Sequence, residues 1–135
     1  MKTLTLKAEL DRIGEVTAFI EEQLEAVDCP MKAQMQIDMA VDELFSNIAH
    51  YAYGEGTGEA AVSFDFDAQT RMVSVTFEDT GVPYDPLKKD DPDVSLSVEE
   101  REVGGLGIFL VKKTMDAMEY ERRGDRNVLV IRKKI

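Results

Sequence analysis

The sequence of 135 residues holds one cysteine, Cys29, and one histidine, His50. A lone cysteine excludes an internal disulfide framework and leaves no second thiol for a zinc site, so Cys29 is expected to be a spare, half-buried thiol. A lone histidine excludes a His-rich metal centre. It also stands in no motif with a serine or cysteine, so nucleophilic catalysis is not indicated. Bases are scarce too: sixteen against twenty-seven acids, for a formal charge of −11. Such a surface repels phosphate backbones and anionic lipid, so neither nucleic acid nor membrane is expected as a partner. It suits a basic protein partner, and it equally suits solubility alone. No apolar run approaches the roughly 20 residues of a membrane span. The start, Met1-Lys2-Thr3-Leu4-Thr5-Leu6, alternates like a strand and lacks the apolar core of a signal peptide. The chain is read as cytoplasmic. With 44% hydrophobic and 32% charged residues, it is expected to fold as a single globular domain over 1–135.

What is present is organised around Ala40 to Tyr53, the second half of a long helix. At about 100° per residue, Ile37, Val41, Leu44, Phe45, Ile48 and Ala52 share one apolar arc that faces a core. Glu43, Asn47 and His50 form a narrower stripe beside it. A carboxylate and a carboxamide at i and i+4 meet on one helix face, which is either an ordinary Glu–Asn pair or the start of a site. Asp42 points about 100° away from Glu43, alongside Asp38 on the expected solvent face.

In chain order, Lys2 to Ala8 reads as a short half-buried strand. A helix follows from Asp11, with Ile13, Val16, Phe19, Ile20, Leu24 and Val27 on one face. Asp28 is placed to cap and Pro30 to open the next helix, which runs to Tyr53. The glycines of Gly54-Glu55-Gly56-Thr57-Gly58 make a linker, since no Gly-Lys-Ser/Thr follows to form a phosphate cradle. Ala60 to Phe66 and Met72 to Asp79 pair as a hairpin across Asp67-Ala68-Gln69-Thr70. Asp79-Thr80-Gly81 then leads into an aperiodic acidic stretch, Leu87 to Val103, of the kind that forms a lid or binding segment. Gly104-Gly105-Leu106-Gly107 opens a helix with apolar Ile108, Leu110, Val111, Met115 and Met118. A strand after Ala117, a turn at Gly124-Asp125-Arg126-Asn127 and the strand Val128-Leu129-Val130-Ile131 close the chain. The fold expected is an α+β two-layer sandwich: a mixed, mostly antiparallel sheet with helices on one face.

Gly105-Leu106-Gly107 is not a dinucleotide fingerprint. Leu110 stands where its third glycine belongs, and an acidic loop rather than a strand precedes it. A glycine-rich helix start still offers bare N–H groups and the positive end of a dipole to an anion, or it is a tight corner.

Glu43-x-x-x-Asn47 on a helix, Asp79-x-Gly81 after a strand, and Gly105-x-Gly107 opening a helix resemble, in that order, the nucleotide-binding boxes of the Bergerat-fold ATPases. That is the histidine-kinase-like group. The whole chain is similar to one branch, the small bacterial anti-sigma-factor serine/threonine kinases, and Gly124 to Leu129 looks like their closing turn. The resemblance implies ATP and Mg²⁺ as cofactors. Asn47 would ligate Mg²⁺ bridging the ATP phosphates, and Glu43 would be the general base toward a serine or threonine hydroxyl. Asp79 would accept from the adenine amino group, with Gly81 giving the ring room. Gly105, Leu106 and Gly107 would contact the phosphates, and residues 82–103 would form the lid. Val103 stands where kinase members can carry a lid arginine, and Arg101 lies two residues earlier.

These roles agree with general chemistry. A carboxylate accepts only, so it pairs with a donor on adenine; Mg²⁺ takes oxygen ligands and keeps waters; and phosphoryl transfer needs positioning and charge neutralisation. The partners implied are an anti-anti-sigma (antagonist) protein, which is phosphorylated, and a sigma factor, which is sequestered. A homodimer is implied as well, with the apolar positions of the first helix as its face; their other reading is core packing. A non-catalytic nucleotide-sensing module of the same fold is the alternative function. The ATPase half of a sensor system is a third reading, without an accompanying phosphoacceptor-histidine domain.

Overall fold

The computed structural model describes residues 1–88 and 105–135. Period-two alternation yields the strands β1 (Lys2–Lys7), β2 (Glu59–Asp67) and β3 (Met72–Asp79), and later β4 (Ala117–Arg123) and β5 (Arg126–Lys134). They form one five-stranded sheet in the order β1-β2-β3-β5-β4. All four pairings are antiparallel, so the sheet expected to be mostly antiparallel is antiparallel throughout the described residues. Val73, Val75, Phe77 and Asp79 are buried along β3, while the residues between them are half-exposed. Such alternation belongs to a sheet packed on one face and solvated on the other.

The helices α1 (Ile13–Ala26), α2 (Met31–Tyr51) and α3 (Gly105–Thr114) supply the second layer. Val16, Ile20 and Leu24 of α1 are wholly buried, and Ile13, Phe19 and Val27 pack against the same core. Core packing is therefore the role the structure gives the six apolar positions of the first helix. Ile37, Val41, Leu44 and Phe45 of α2 are buried as the helical period requires.

Asp28 does a different task from the one expected. It adopts φ 55°, its N–H donates to Glu25 O, and the Cys29 N–H donates to Leu24 O. These two bonds make a Schellman ending for α1, with aspartate where glycine is usual. Pro30 is the cap of α2 and makes no side-chain cap bond. The helix ends at Tyr51, two residues short of the expected Tyr53.

The helix α3 is shorter than its apolar pattern suggested. It stops at Thr114, where the Lys133 ammonium donates to the last carbonyl at 2.7 Å and the Asp116 N–H is drawn to Arg132 O. Met118 therefore lies on β4, and Leu110 faces outward. No described helix is long and apolar enough to cross a membrane.

Asp38 was expected beside Asp42 on the solvent face. The covering helix α1 instead brings Glu21 against it, and one Asp38 oxygen is buried without a hydrogen-bond donor. Burial, a shared proton and the Glu21 charge push Asp38 up to about 6. Because the folded value lies above the unfolded one, its contribution to stability is complete below about pH 4 and is lost as pH rises through 6. Asp38→Asn should flatten the fall in Tm between pH 4 and 7 and raise Tm at pH 7.5 by a few degrees, measured by differential scanning calorimetry.

Candidate functional site

The strand β3 ends in Asp79, and the register sets Asp79 directly opposite Asn127 at the start of β5. Both are buried polar residues at the rim of an apolar core. Asp79 Oδ1 accepts from the Gly81 N–H at 2.9 Å and from Asn127 Nδ2 at 2.9 Å. Its second oxygen makes no hydrogen bond to the described residues. The carboxylate is thus fixed by one oxygen, and the other remains an acceptor.

Asn127 uses all of its capacity. Nδ2 also donates to Val82 O at 2.8 Å, while Oδ1 accepts from the Tyr84 N–H at 3.3 Å and from Tyr120 OH at 2.5 Å. One carboxamide therefore binds β3, β4, β5 and the segment after Gly81 into a single frame. Sequence alone places Asn127 only in a closing turn. The signal was available: counted in twos from Ile131 and Leu129, Asn127 is an inward position, and a polar residue there needs partners.

Asp79 and Asn127 line a cleft with Asn47, Ile48, Tyr51 and Tyr84, and the space with its open mouth is about 440 Å³. Apolar walls with a few convergent polar groups are the kind of lining that suits a small organic ligand. The Asn47 carboxamide makes no hydrogen bond to the described residues, which leaves its oxygen for a ligand or a hydrated cation. The rings of Tyr51 and Tyr84 lie 6.2 Å apart at the cleft. Burial first, then Tyr51, Glu43 and Asp85, push the Tyr84 hydroxyl above its ordinary range.

Gly81 is a glycine because α2 ends against it. A Cβ there would overlap the backbone carbonyl of Ala52, which already accepts from the Val82 N–H at 2.8 Å. The Arg122 guanidinium donates to Gly81 O at 2.8 Å from the other side. Tyr53 braces the same corner: its hydroxyl donates to Glu59 O at 2.5 Å and accepts from the Thr80 N–H at 3.0 Å.

Glu43 lies one helical turn from Asn47 but lines a neighbouring depression between α2 and α3, with Met39, Asp42, Gly107 and Leu110. A Cβ at Gly107 would overlap its carboxylate, so the bare backbone of α3 admits the acid. Gly105, Leu106 and Gly107 form the first turn of α3. Asn47 and Asp79 are therefore brought together, and Glu43 meets Gly107 next door. Most of the expected lid, residues 89–103, lies outside the described residues, as do Arg101, Val103 and Gly104. His50 is exposed on α2 and its ring contacts Tyr51.

For magnesium the donor chemistry fits. Among the described residues no cluster of three His, Cys, Asp or Glu could cage a metal. One carboxamide oxygen beside a ligand cleft is what an ion that keeps its waters and phosphate oxygens requires.

The model of the histidine kinase-like ATPase domain matches residues 6–133. The serine/threonine-protein kinase BtrW of Bordetella bronchiseptica is 29% identical over 100 residues, covering 74% of this chain and 70% of that protein. The serine-protein kinase RsbW of Bacillus thuringiensis is 29% identical over 96 residues, 68% of this chain and 59% of that protein. In three dimensions the chain superposes on a histidine kinase domain from Erythrobacter litoralis EL346 with a TM-score of 0.59 at 16% identity, over 90% of this chain and 60% of the other. That likeness concerns the fold. By the match of that model over residues 6–133, the chain belongs to the histidine kinase-like ATPase domain family.

Proposed function

We propose that the chain is an ATP-dependent serine/threonine protein kinase of the anti-sigma-factor type. It holds a sigma factor inactive and phosphorylates an antagonist protein, in the cytoplasm, as a single domain over 1–135 with residues 82–103 as its lid. The observation that carries this reading is the locked Asp79 carboxylate sharing a cleft with the unengaged Asn47 carboxamide. Likeness to proteins named as serine kinases supports the same reaction class.

In the proposed mechanism the free oxygen of Asp79 accepts from the adenine amino group. Asn127 and the Gly81 N–H hold it so that no reorientation is needed on binding. Asn47 would hold Mg²⁺, which neutralises charge on the phosphates, and the first turn of α3 offers N–H groups to them. Glu43, fixed against Gly107, takes the proton from the attacking hydroxyl of the partner.

The test is transfer of label from Mg-ATP to candidate antagonist proteins. Glu43→Ala should lower transfer by about a hundredfold or more while ATP affinity, measured by calorimetry, stays within a few-fold. Tight ATP binding with no transfer to any candidate would instead identify a nucleotide-sensing binding module.

A further inference from the structure

The helix α2 carries two apolar stripes. One is the core stripe already described. The other is Met31, Met35 and Met39, spaced by four, and these side chains are 77%, 61% and 56% exposed. Residues four apart lie above one another on a helix, so the three thioethers form a continuous ridge along the outside of the domain. Leu110 of α3, 38% exposed, extends the ridge sideways.

Met39 and Leu110 are also walls of the depression in which Glu43 sits, a space of about 470 Å³ with its mouth. The ridge therefore ends at the proposed base. Met39 and Leu110 are the exposed apolar side chains bordering the space a hydroxyl would enter to reach Glu43. The described ionisable side chains that line the depression, Asp42 and Glu43, are both acidic. An apolar ridge leading to an acidic end fits an amphipathic segment with a cation near its tip. Methionine suits such a surface because it is unbranched and polarisable and repacks against different shapes.

We propose that the methionine ridge of α2 is the docking surface for the phosphoacceptor protein. That protein lays the apolar face of a helix along Met31, Met35 and Met39 and presents a serine or threonine, flanked by a basic side chain, to Glu43. This rests on the kinase reading above and adds where and by what chemistry the substrate is held.

The methionines themselves provide the test. The full chain is labelled at its methionine methyls and titrated with a helical peptide bearing leucines four residues apart, then one serine and two arginines. The methyl signals of Met31, Met35 and Met39 should move while those of Met72, Met115 and Met118 hold still. Met35→Glu should weaken the peptide at least about tenfold and leave Mg-ATP affinity unchanged, and replacing the arginines by glutamates should weaken it similarly.

Unmoved signals at millimolar peptide would overturn the proposal. So would a wild-type dimer in sedimentation that Met35→Glu converts to a monomer, because the ridge would then be covered by a second copy of the chain. Failure of the wild-type protein to bind Mg-ATP would fall on the kinase reading instead, since the peptide titration reads the ridge without nucleotide.

Discussion

Asp79→Asn should leave the fold intact and cost about a hundredfold in affinity for Mg-ATP. The replacement keeps one carbonyl oxygen, which still accepts from the Gly81 N–H and Asn127 Nδ2. Those two bonds fix which end of the new side chain faces the cleft, and it is the amide NH₂. A donor then meets the amino group of adenine, so a charged hydrogen bond is lost and two donors confront one another. At about 1.5 kcal/mol or more for each effect the sum approaches 3 kcal/mol, and each 1.4 kcal/mol is tenfold. Calorimetry with Mg-ATP measures the loss, and a Tm close to wild type shows that the frame survives. Inosine triphosphate, which offers a carbonyl in place of the amino group, should bind the variant better than ATP does. If the Asp79→Asn variant binds ATP within threefold of wild type, Asp79 has no part in base recognition.

Gly81→Ala should be the most destabilising single methyl in the site. The added carbon would overlap the Ala52 carbonyl, which belongs to backbone and cannot rotate away. Relief requires moving the end of α2 or the Asp79–Val82 turn, and either motion strains the Val82 N–H to Ala52 O bond and the Arg122 bond to Gly81 O. Overpacking of this kind costs about 1–3 kcal/mol, with the disturbed hydrogen bonds in addition. At several degrees per kcal/mol for a domain of this size, Tm should fall by about 10 °C. Scanning calorimetry at fixed pH measures this. ATP affinity should fall too, because Asp79 Oδ1 accepts from this residue's N–H. A Tm within about 2 °C of wild type would show that the corner yields easily and that the tight approach is incidental.

Much of this arrangement could be read from local rules. The helical period places Asn47 beside a core-facing stripe, and strand alternation puts Asp79 at an inward strand end, so their meeting follows once the two layers pack. The hairpin from β2 to β3 is equally local, with the Asp67 carboxylate accepting from the Gln69 N–H at its turn. What escapes local rules are contacts between elements distant in sequence. By motif, Gly81 and Gly107 belong to the ligand, whereas the structure shows each yielding space to another part of the chain, Ala52 and Glu43. Asn127 lies 48 residues from Asp79, and only the β3–β5 register reveals the pair. Asp38 belongs on the solvent face only as long as α2 is taken by itself, because its periodicity carries no trace of the α1 that covers it. Met31, Met35 and Met39 are overshadowed in sequence by a stronger core stripe on the same helix.

The antiparallel register between β3 and β5 governs when Asp79 gains its hydrogen-bonded frame during folding. A nascent chain that has completed β3 already carries Asn47, Asp79 and Gly81, yet it lacks the carboxamide that orients the aspartate. Closing that ladder joins segments far apart in the chain, which is an entropically slow step. A slip by a single residue would set Val128 opposite Asp79 and turn Asn127 to the opposite face of the sheet. The oriented carboxylate is consequently acquired only when β5 joins the sheet.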